Sequence, residues 1–268
     1  MKRFYFFIAF LTLTSCSKDK YGSYNQVHVL GHGGMGITSL YPLNSYESIF
    51  YSLALGAEGT EIDVQMTSDS VLVAYHNRDL SEKTNMDGRI HQRNYTDIRE
   101  ATYTLPLYSN YQLANLEEIF NHIDLTEEQI FFLDCKNYNP DATVGYMNRY
   151  TDALIRLVDQ FDLKDKVFIE LKRRDLIETM RAKRPDIKLF TFSSFEAGLE
   201  MAEEYNLSGL TISIDNINKD QVDRAHAKGI EVAVFNTHTK ARNVKAIEIE
   251  ADYIQTDKLK QLFKLLGR

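Results

Sequence analysis

Eight short apolar runs recur along this chain, and longer amphipathic stretches lie between most of them. The runs are Val27–Leu30, Thr60–Val64, Ile130–Leu133, Val167–Ile169, Lys188–Phe192, Leu210–Ile214, Glu231–Phe235 and Tyr253–Gln255. Several are bounded by Gly, Asp or Asn, which marks strands. The stretches Tyr46–Leu55, Val144–Gln160, Asp175–Arg184, Glu196–Tyr205, Gln221–Lys228, Ala241–Ile249 and Lys258–Leu265 carry 3.6-type apolar spacing, which marks helices. Alternation of the two predicts βαβ units and a parallel sheet. About eight such units close into a (β/α)8 TIM barrel, which typically takes about 250 residues; the chain has 268. Val71–Tyr75 is an extra strand-like run after the second unit. Arg78 to Leu113 breaks the rhythm. It is polar, rich in Asn, Thr and Tyr, and too long for an ordinary barrel loop. We expect it to be an insertion, at about residues 78–113, lying over the mouth of the barrel. With four prolines and no linker after Asn25, nothing suggests a second domain.

The first residues differ in kind. Lys2 and Arg3 precede an apolar run, Phe4 to Leu13, that is too short to span a membrane and has the form of a secretory signal. Leu13-Thr14-Ser15-Cys16 resembles the lipobox of bacterial lipoproteins, in which the Cys becomes the lipidated first residue. An ordinary signal peptide with an incidental Cys is the alternative. The expected organisation is a signal peptide over 1–15, a polar tether over 16–25 and the barrel over 26–268. That places the protein in the cell envelope, anchored by lipid to a bacterial membrane, with the outer membrane expected, on its periplasmic or surface side. The other cysteine, Cys135, then has no partner, and its apolar surroundings suggest a packed, inert thiol. A net charge of −7 offers no footprint for nucleic acid and argues against strong adhesion to anionic head groups. No protein partner is expected.

Four features carry chemistry. Gly31-His32-Gly33-Gly34 follows the first strand, and a His at the C-terminal end of a barrel strand sits where catalytic groups sit. A His flanked by Gly is also a plain turn signature. In Glu61-Ile62-Asp63, residues two apart point to one side, so both carboxylates face into the barrel. Two buried anions repel each other, and a bound cation would relieve that; salt bridges to an inward Lys or Arg are the alternative. His76 ends the run Val71–Tyr75, and Asp134-Cys135-Lys136 closes the third strand with Asp134 and Lys136 on one face. All-oxygen ligands suit a hard cation, Ca2+ or Mg2+. A cation, a lysine and two histidines meet the needs of phosphodiester cleavage. The cation neutralises phosphate charge, one His assists the nucleophile, and the other protonates the leaving alkoxide. The remaining histidines, His28, His91, His122, His226 and His238, have no evident catalytic role. Asp252 and Asp257 at the last strand could border the pocket, although Asp257 is expected instead to cap a helix. Tyr103 to Tyr111 would either shape a lid or pack a loop.

Taken together, several motifs resemble the glycerophosphodiester phosphodiesterase family. They are Gly31-His32-Gly33-Gly34, Pro42-Leu43-Asn44-Ser45, Gly56-Ala57 leading to Glu61-Ile62-Asp63-Val64, and Tyr75-His76. Leu116-Glu117-Glu118-Ile119, Leu133-Asp134-Cys135-Lys136, Ala227 to Val232 and Ala251 to Asp257 add to them, so the resemblance runs from about Val27 to Lys258. It implies a barrel with a segment inserted after the second strand. It also implies metal-dependent hydrolysis of a small-molecule glycerophosphodiester to glycerol 3-phosphate and an alcohol. By matching position, His32 and His76 are the acid/base pair, and Glu61 and Asp63 are metal ligands. Asp134 stands where the family commonly has a third acidic ligand, Glu, and Lys136 where a residue contacts the phosphate. Gly33 replaces the usual Arg, Leu43 a Glu, Asn77 an Asp and Phe235 a Trp. An Asp third ligand followed by Lys, with Gly after the first His, is also similar to phospholipase-D-like toxins that cleave choline lipids by internal cyclisation. A non-catalytic lipoprotein that captures phosphodiesters is a further alternative.

Overall fold

The computed structural model describes residues 27–37, 39–139 and 143–268. The signal peptide and the whole tether, Cys16 included, lie outside the described residues. Eight parallel strands form the barrel: β1 (His28–Gly31), β2 (Gly59–Met66), β5 (Ile130–Cys135), β6 (Val167–Glu170), β7 (Lys188–Phe192), β8 (Gly209–Ser213), β9 (Glu231–Thr237) and β10 (Tyr253–Thr256). They pair in order around the ring, and β1 closes it by pairing with both β10 and β2. Each expected strand run coincides with one of these eight.

The outer ring comprises α1 (Tyr46–Ala54), α3 (Leu116–His122), α4 (Val144–Gln160), α5 (Arg174–Lys183), α6 (Phe195–Glu204), α7 (Lys219–His226), α8 (Lys240–Glu248) and α9 (Leu259–Leu266). Their amphipathic spacing explains their placement. In α4, Tyr146, Met147, Tyr150, Leu154, Leu157 and Val158 are buried along one face, and Thr143 caps the first turn by accepting from the Tyr146 amide. Helix α3 was not expected from spacing, because two turns hold too few apolar positions to display a period. It buries Leu116, Ile119 and Phe120.

Inside the ring, inward-facing side chains fill the barrel axis in layers. Phe132, Phe168, Phe190 and Tyr253 fill the lower axis, with ring centroids 4.9–5.9 Å apart. Gly209 is needed here, since a Cβ would stand 2.3 Å from the Phe190 ring. Two residues higher on the even-numbered barrel strands come Glu61, Glu170, Thr211 and Gln255, all buried. This aromatic plug turns the upper half of the barrel into a cup. Cys135 is buried on the outer side of β5 and burial pushes its thiol up, in keeping with an inert packed cysteine.

Between β2 and β5 the chain departs from βα alternation. β3 (Leu72–Ala74) runs antiparallel to β2, and β4 (Ala114–Asn115) antiparallel to β3. The segment they bracket contains the one-turn helix α2 (Tyr95–Ile98) and a small core of its own, including Tyr75, Leu80, Ile90, Ile98, Tyr103 and Leu113. These anchors are widely and irregularly spaced, so no periodicity announced them. The tyrosines shape a wall. The Tyr103 hydroxyl donates to the Leu43 carbonyl at 3.4 Å, and the Tyr108 hydroxyl to the Ser39 carbonyl at 2.8 Å. Among the described residues no helix is long and apolar enough to cross a membrane.

Candidate active site

The cup opens at the C-terminal ends of the strands into a cavity of about 840 Å³. His32, His76, Glu61, Asp63, Asp134 and Lys136 all line it. Six side chains expected from sequence therefore meet in one place.

Parallel registry brings the carboxylates together. Asp63 on β2 stands opposite Asp134 on β5, and Glu61 lies two residues below Asp63. Glu61, Asp63 and Asp134 each offer an oxygen within 4.8 Å of the others. Asp63 is clamped by Asn44, whose Nδ2 donates to Asp63 Oδ2 at 2.7 Å and whose Oδ1 accepts from the Asp63 amide at 2.9 Å. Asn44 takes a left-handed φ of 66° to do this, a conformation Asn tolerates better than most residues. Glu61 Oε2 accepts from the Gly33 amide at 2.9 Å.

Lys136 supplies the inward cation that the salt-bridge alternative called for. Its Nζ is 3.0 Å from Asp63 Oδ1 and also pairs with Asp134. Burial alone would lower its pKa, but the three carboxylates raise it, so it stays charged. One ammonium does not balance three carboxylates. Burial, and then the charge of Asp63, pushes Glu61 well above the usual carboxylate range. Burial also raises Asp134. Asp63 stays below its usual value despite burial, because Lys136, His76 and Asn44 favour its charged form. Three crowded, under-neutralised oxygen donors fit a hard divalent cation.

The two histidines are held differently. His32 Nδ1 lies 2.8 Å from Asp257 Oδ1. Burial would lower its pKa, but the Asp257 hydrogen bond and the charges of Glu61, Asp257 and Asp63 override this, raising it to about 9. His76 stands just past the end of β3, exposed at the lip, with its carbonyl accepting from the Tyr138 hydroxyl at 3.0 Å.

Asp257 corrects an expectation. It does not cap α9, whose N-cap is Lys258 without a side-chain bond. Its carboxylate instead accepts from the Ile37 amide at 3.0 Å and bridges the Nδ1 atoms of His32 and His238. His238, given no catalytic role from sequence, is thereby turned into the cavity. Asp252 lies at the opposite end of β10, bonded to the Val232 amide and to His226. Glu170 was also missed. It follows an apolar strand run just as Asp134 does, and that signal was available. Burial and then the charge of Asp134 push it up to about 8, against the pull of Thr211 and Lys136.

Two family departures prove to be one spatial event. Gly33 has φ 52°, and a Cβ there would lie 2.7 Å from Leu43 Cδ2. Leu43 occupies the room that a larger residue 33 would need.

The glycerophosphoryl diester phosphodiesterase family model matches residues 35–261. The chain belongs to that family. Among curated members, a glycerophosphodiester phosphodiesterase of Caldanaerobacter subterraneus is 20% identical over 231 residues, covering 85% of this chain and 93% of the relative. One from Bacillus altitudinis is 22% identical, covering 83% and 91%. Among solved structures, an Oleispira antarctica phosphodiesterase in complex with the product sn-glycerol-3-phosphate superposes with a TM-score of 0.79 at 20% identity, over 90% of this chain and 97% of that one. A Parabacteroides distasonis glycerophosphodiester phosphodiesterase gives 0.78 at 19% identity, over 90% and 97%. The structural likeness establishes the family's barrel fold for this chain.

Proposed function

We propose that this phosphodiesterase-family chain hydrolyses glycerophosphodiesters to glycerol 3-phosphate and an alcohol. The observation that carries the reading is the meeting of Glu61, Asp63, Asp134, Lys136, His32 and His76 in one cavity. Glu61, Asp63 and Asp134 would hold a divalent cation, Ca2+ or Mg2+, which when bound supplies Lewis-acid neutralisation of phosphate charge. Lys136 contacts a phosphate oxygen, a role made heavier because Gly33 brings no cationic side chain to the site. Asp257 holds His32 by Nδ1, so His32 presents Nε2 to the cavity and keeps its proton at neutral pH. It serves as the acid that protonates the leaving alkoxide, and His76 accepts a proton from the attacking water.

The test is incubation with glycerophosphocholine and glycerophosphoethanolamine plus Ca2+ or Mg2+. Release of glycerol 3-phosphate is expected. A cyclic phosphate from an intact lysolipid would replace this reading with internal cyclisation, and metal-dependent binding without turnover would replace it with capture.

We propose further that residues 1–15 are a signal peptide and that acylated Cys16, through the tether to residue 25, anchors the barrel to a bacterial membrane. The first described residue, Val27, enters β1 on the barrel face opposite the site, so such a tether would leave the mouth free. Wild-type protein should partition with the membrane fraction and Cys16→Ser should not; unchanged processing and partitioning in the variant would sink the anchor.

A further inference from the structure

The four inward side chains that floor the cavity are Glu61, Glu170, Thr211 and Gln255, one from each of β2, β6, β8 and β10. Glu61 is committed to the carboxylate cluster and the Gly33 amide. The other three are 2–3% exposed, yet among the described residues Glu170 Oε2, Thr211 Oγ1 and Gln255 Nε2 have no well-formed hydrogen bond, although the Thr211 hydroxyl is near enough to Glu170 to favour its charged form. Buried polar atoms are almost always satisfied, and leaving three open in one layer is costly. All three residues line the cavity.

The donor and acceptor set narrows what can satisfy them. Gln255 Nε2 only donates, Thr211 both donates and accepts, and the Glu170 carboxyl accepts in either protonation state. A cation would suit Glu170 but meet the amide hydrogens of Gln255. An anion would suit Gln255 and Thr211 but meet the carboxylates of Glu170, Glu61 and Asp134. A neutral group with adjacent hydroxyls satisfies all three, donating to Glu170 and accepting from Gln255 and Thr211. Higher up, the surroundings change. Lys136 stands on the wall past the end of β5, and Ile37, Leu105, Phe192 and Phe235 line the cavity without offering a polar side chain.

We propose that Glu170, Thr211 and Gln255 form a hydroxyl-binding floor that takes the glycerol end of the substrate, directing the variable alcohol toward the mouth of the cavity. This rests on the hydrolytic reading for the identity of the polyol. The floor makes the three residues specificity-determining: they distinguish a glycerol diester from an alkyl diester of the same alcohol.

The experiment compares glycerophosphoethanolamine with ethyl phosphoethanolamine, which lacks both glycerol hydroxyls, in wild type, Glu170→Gln, and the double variant Thr211→Val/Gln255→Leu. Wild type should prefer the glycerol diester by about 10- to 100-fold in kcat/KM, because a site built to bond hydroxyls rejects an analogue without them. In the variants that preference should shrink toward unity, mainly through KM. Equal losses on both substrates, or a wild type without preference, would overturn the proposal. Calorimetry of glycerol 3-phosphate against ethyl phosphate, on protein loaded with Ca2+ or Mg2+, reads the floor without turnover. If neither diester is cleaved but wild type alone prefers glycerol 3-phosphate, hydrolysis fails and the floor stands. If wild type and variants bind both ligands alike, the floor holds only water and the proposal fails. Glu170→Gln preserves shape, so it keeps the test open should the double variant not fold.

Discussion

Replacing His32 with alanine should lower hydrolysis of a glycerophosphodiester by about 10²- to 10⁴-fold, the range typical of a lost general acid. His32 projects from the end of β1, so little core packing is lost with it, and any fall in melting temperature should come mainly from the lost pairing with Asp257. Asp257→Asn tests why the histidine works. It removes the carboxylate that holds Nδ1 and much of the charge that raises His32 to about 9. The acid must be protonated to act, so the alkaline limb of the rate profile should move to lower pH in Asp257→Asn. Stability follows the same linkage. Because the folded pKa lies above the unfolded one, His32 contributes stability that is fully present below about pH 6.5 and lost as pH rises toward 9. A shift of that size corresponds to about 3 kcal/mol, and the loss should be smaller in Asp257→Asn. Urea titrations between pH 6 and 9 measure it. Full activity in His32→Ala would remove the histidine from the chemistry.

Stripping divalent metal should reduce turnover about 10³-fold or more, given several kcal/mol of charge stabilisation, and adding Ca2+ or Mg2+ should restore it. Metal should also raise the melting temperature, since a ligand at about 100 times its dissociation constant stabilises by about 2.7 kcal/mol. Glu61→Gln with Asp63→Asn should abolish both responses. Binding should weaken as pH falls, because Glu61, already pushed up by burial and by Asp63, must be deprotonated to ligate. Activity and melting temperature both indifferent to chelator would leave the carboxylates with Lys136 as their only counter-ion, and the metal reading would fail.

The site was legible wherever chemistry and strand period coincide. Glu61 and Asp63 flank Ile62 at the period-2 spacing of a strand, and Ile62 is fully buried on the outer side while both carboxylates face in. His32, Asp134 and His76 each follow a short apolar run, so position relative to the strand end was enough to place them. Asp257 obeys the same rule, but a carboxylate before a helix satisfies two local grammars, and only the approach of His32 and His238 decides between them. The small core of the inserted segment was invisible because irregular spacing has no period to detect.

The resemblance to a known family treated Gly33 and Leu43 as separate losses, whereas they occupy a single volume. That kind of coupling is non-local and leaves no trace in either residue alone.

Eight apolar runs alternating with amphipathic stretches by themselves determined a closed parallel barrel, because burying strands on both faces and helices on one admits few other solutions. They also determined which end of the barrel carries the chemistry. Only the tertiary structure decided how the groups there are partnered: Asp63 by Asn44 and Lys136, His32 by Asp257, while among the described residues Glu170 Oε2, Thr211 Oγ1 and Gln255 Nε2 are left without a well-formed protein hydrogen bond. Strand direction and inward facing are set by local periodicity. Hydrogen-bond partnership is set by registry between strands far apart in the chain, and that exists only once the barrel has closed.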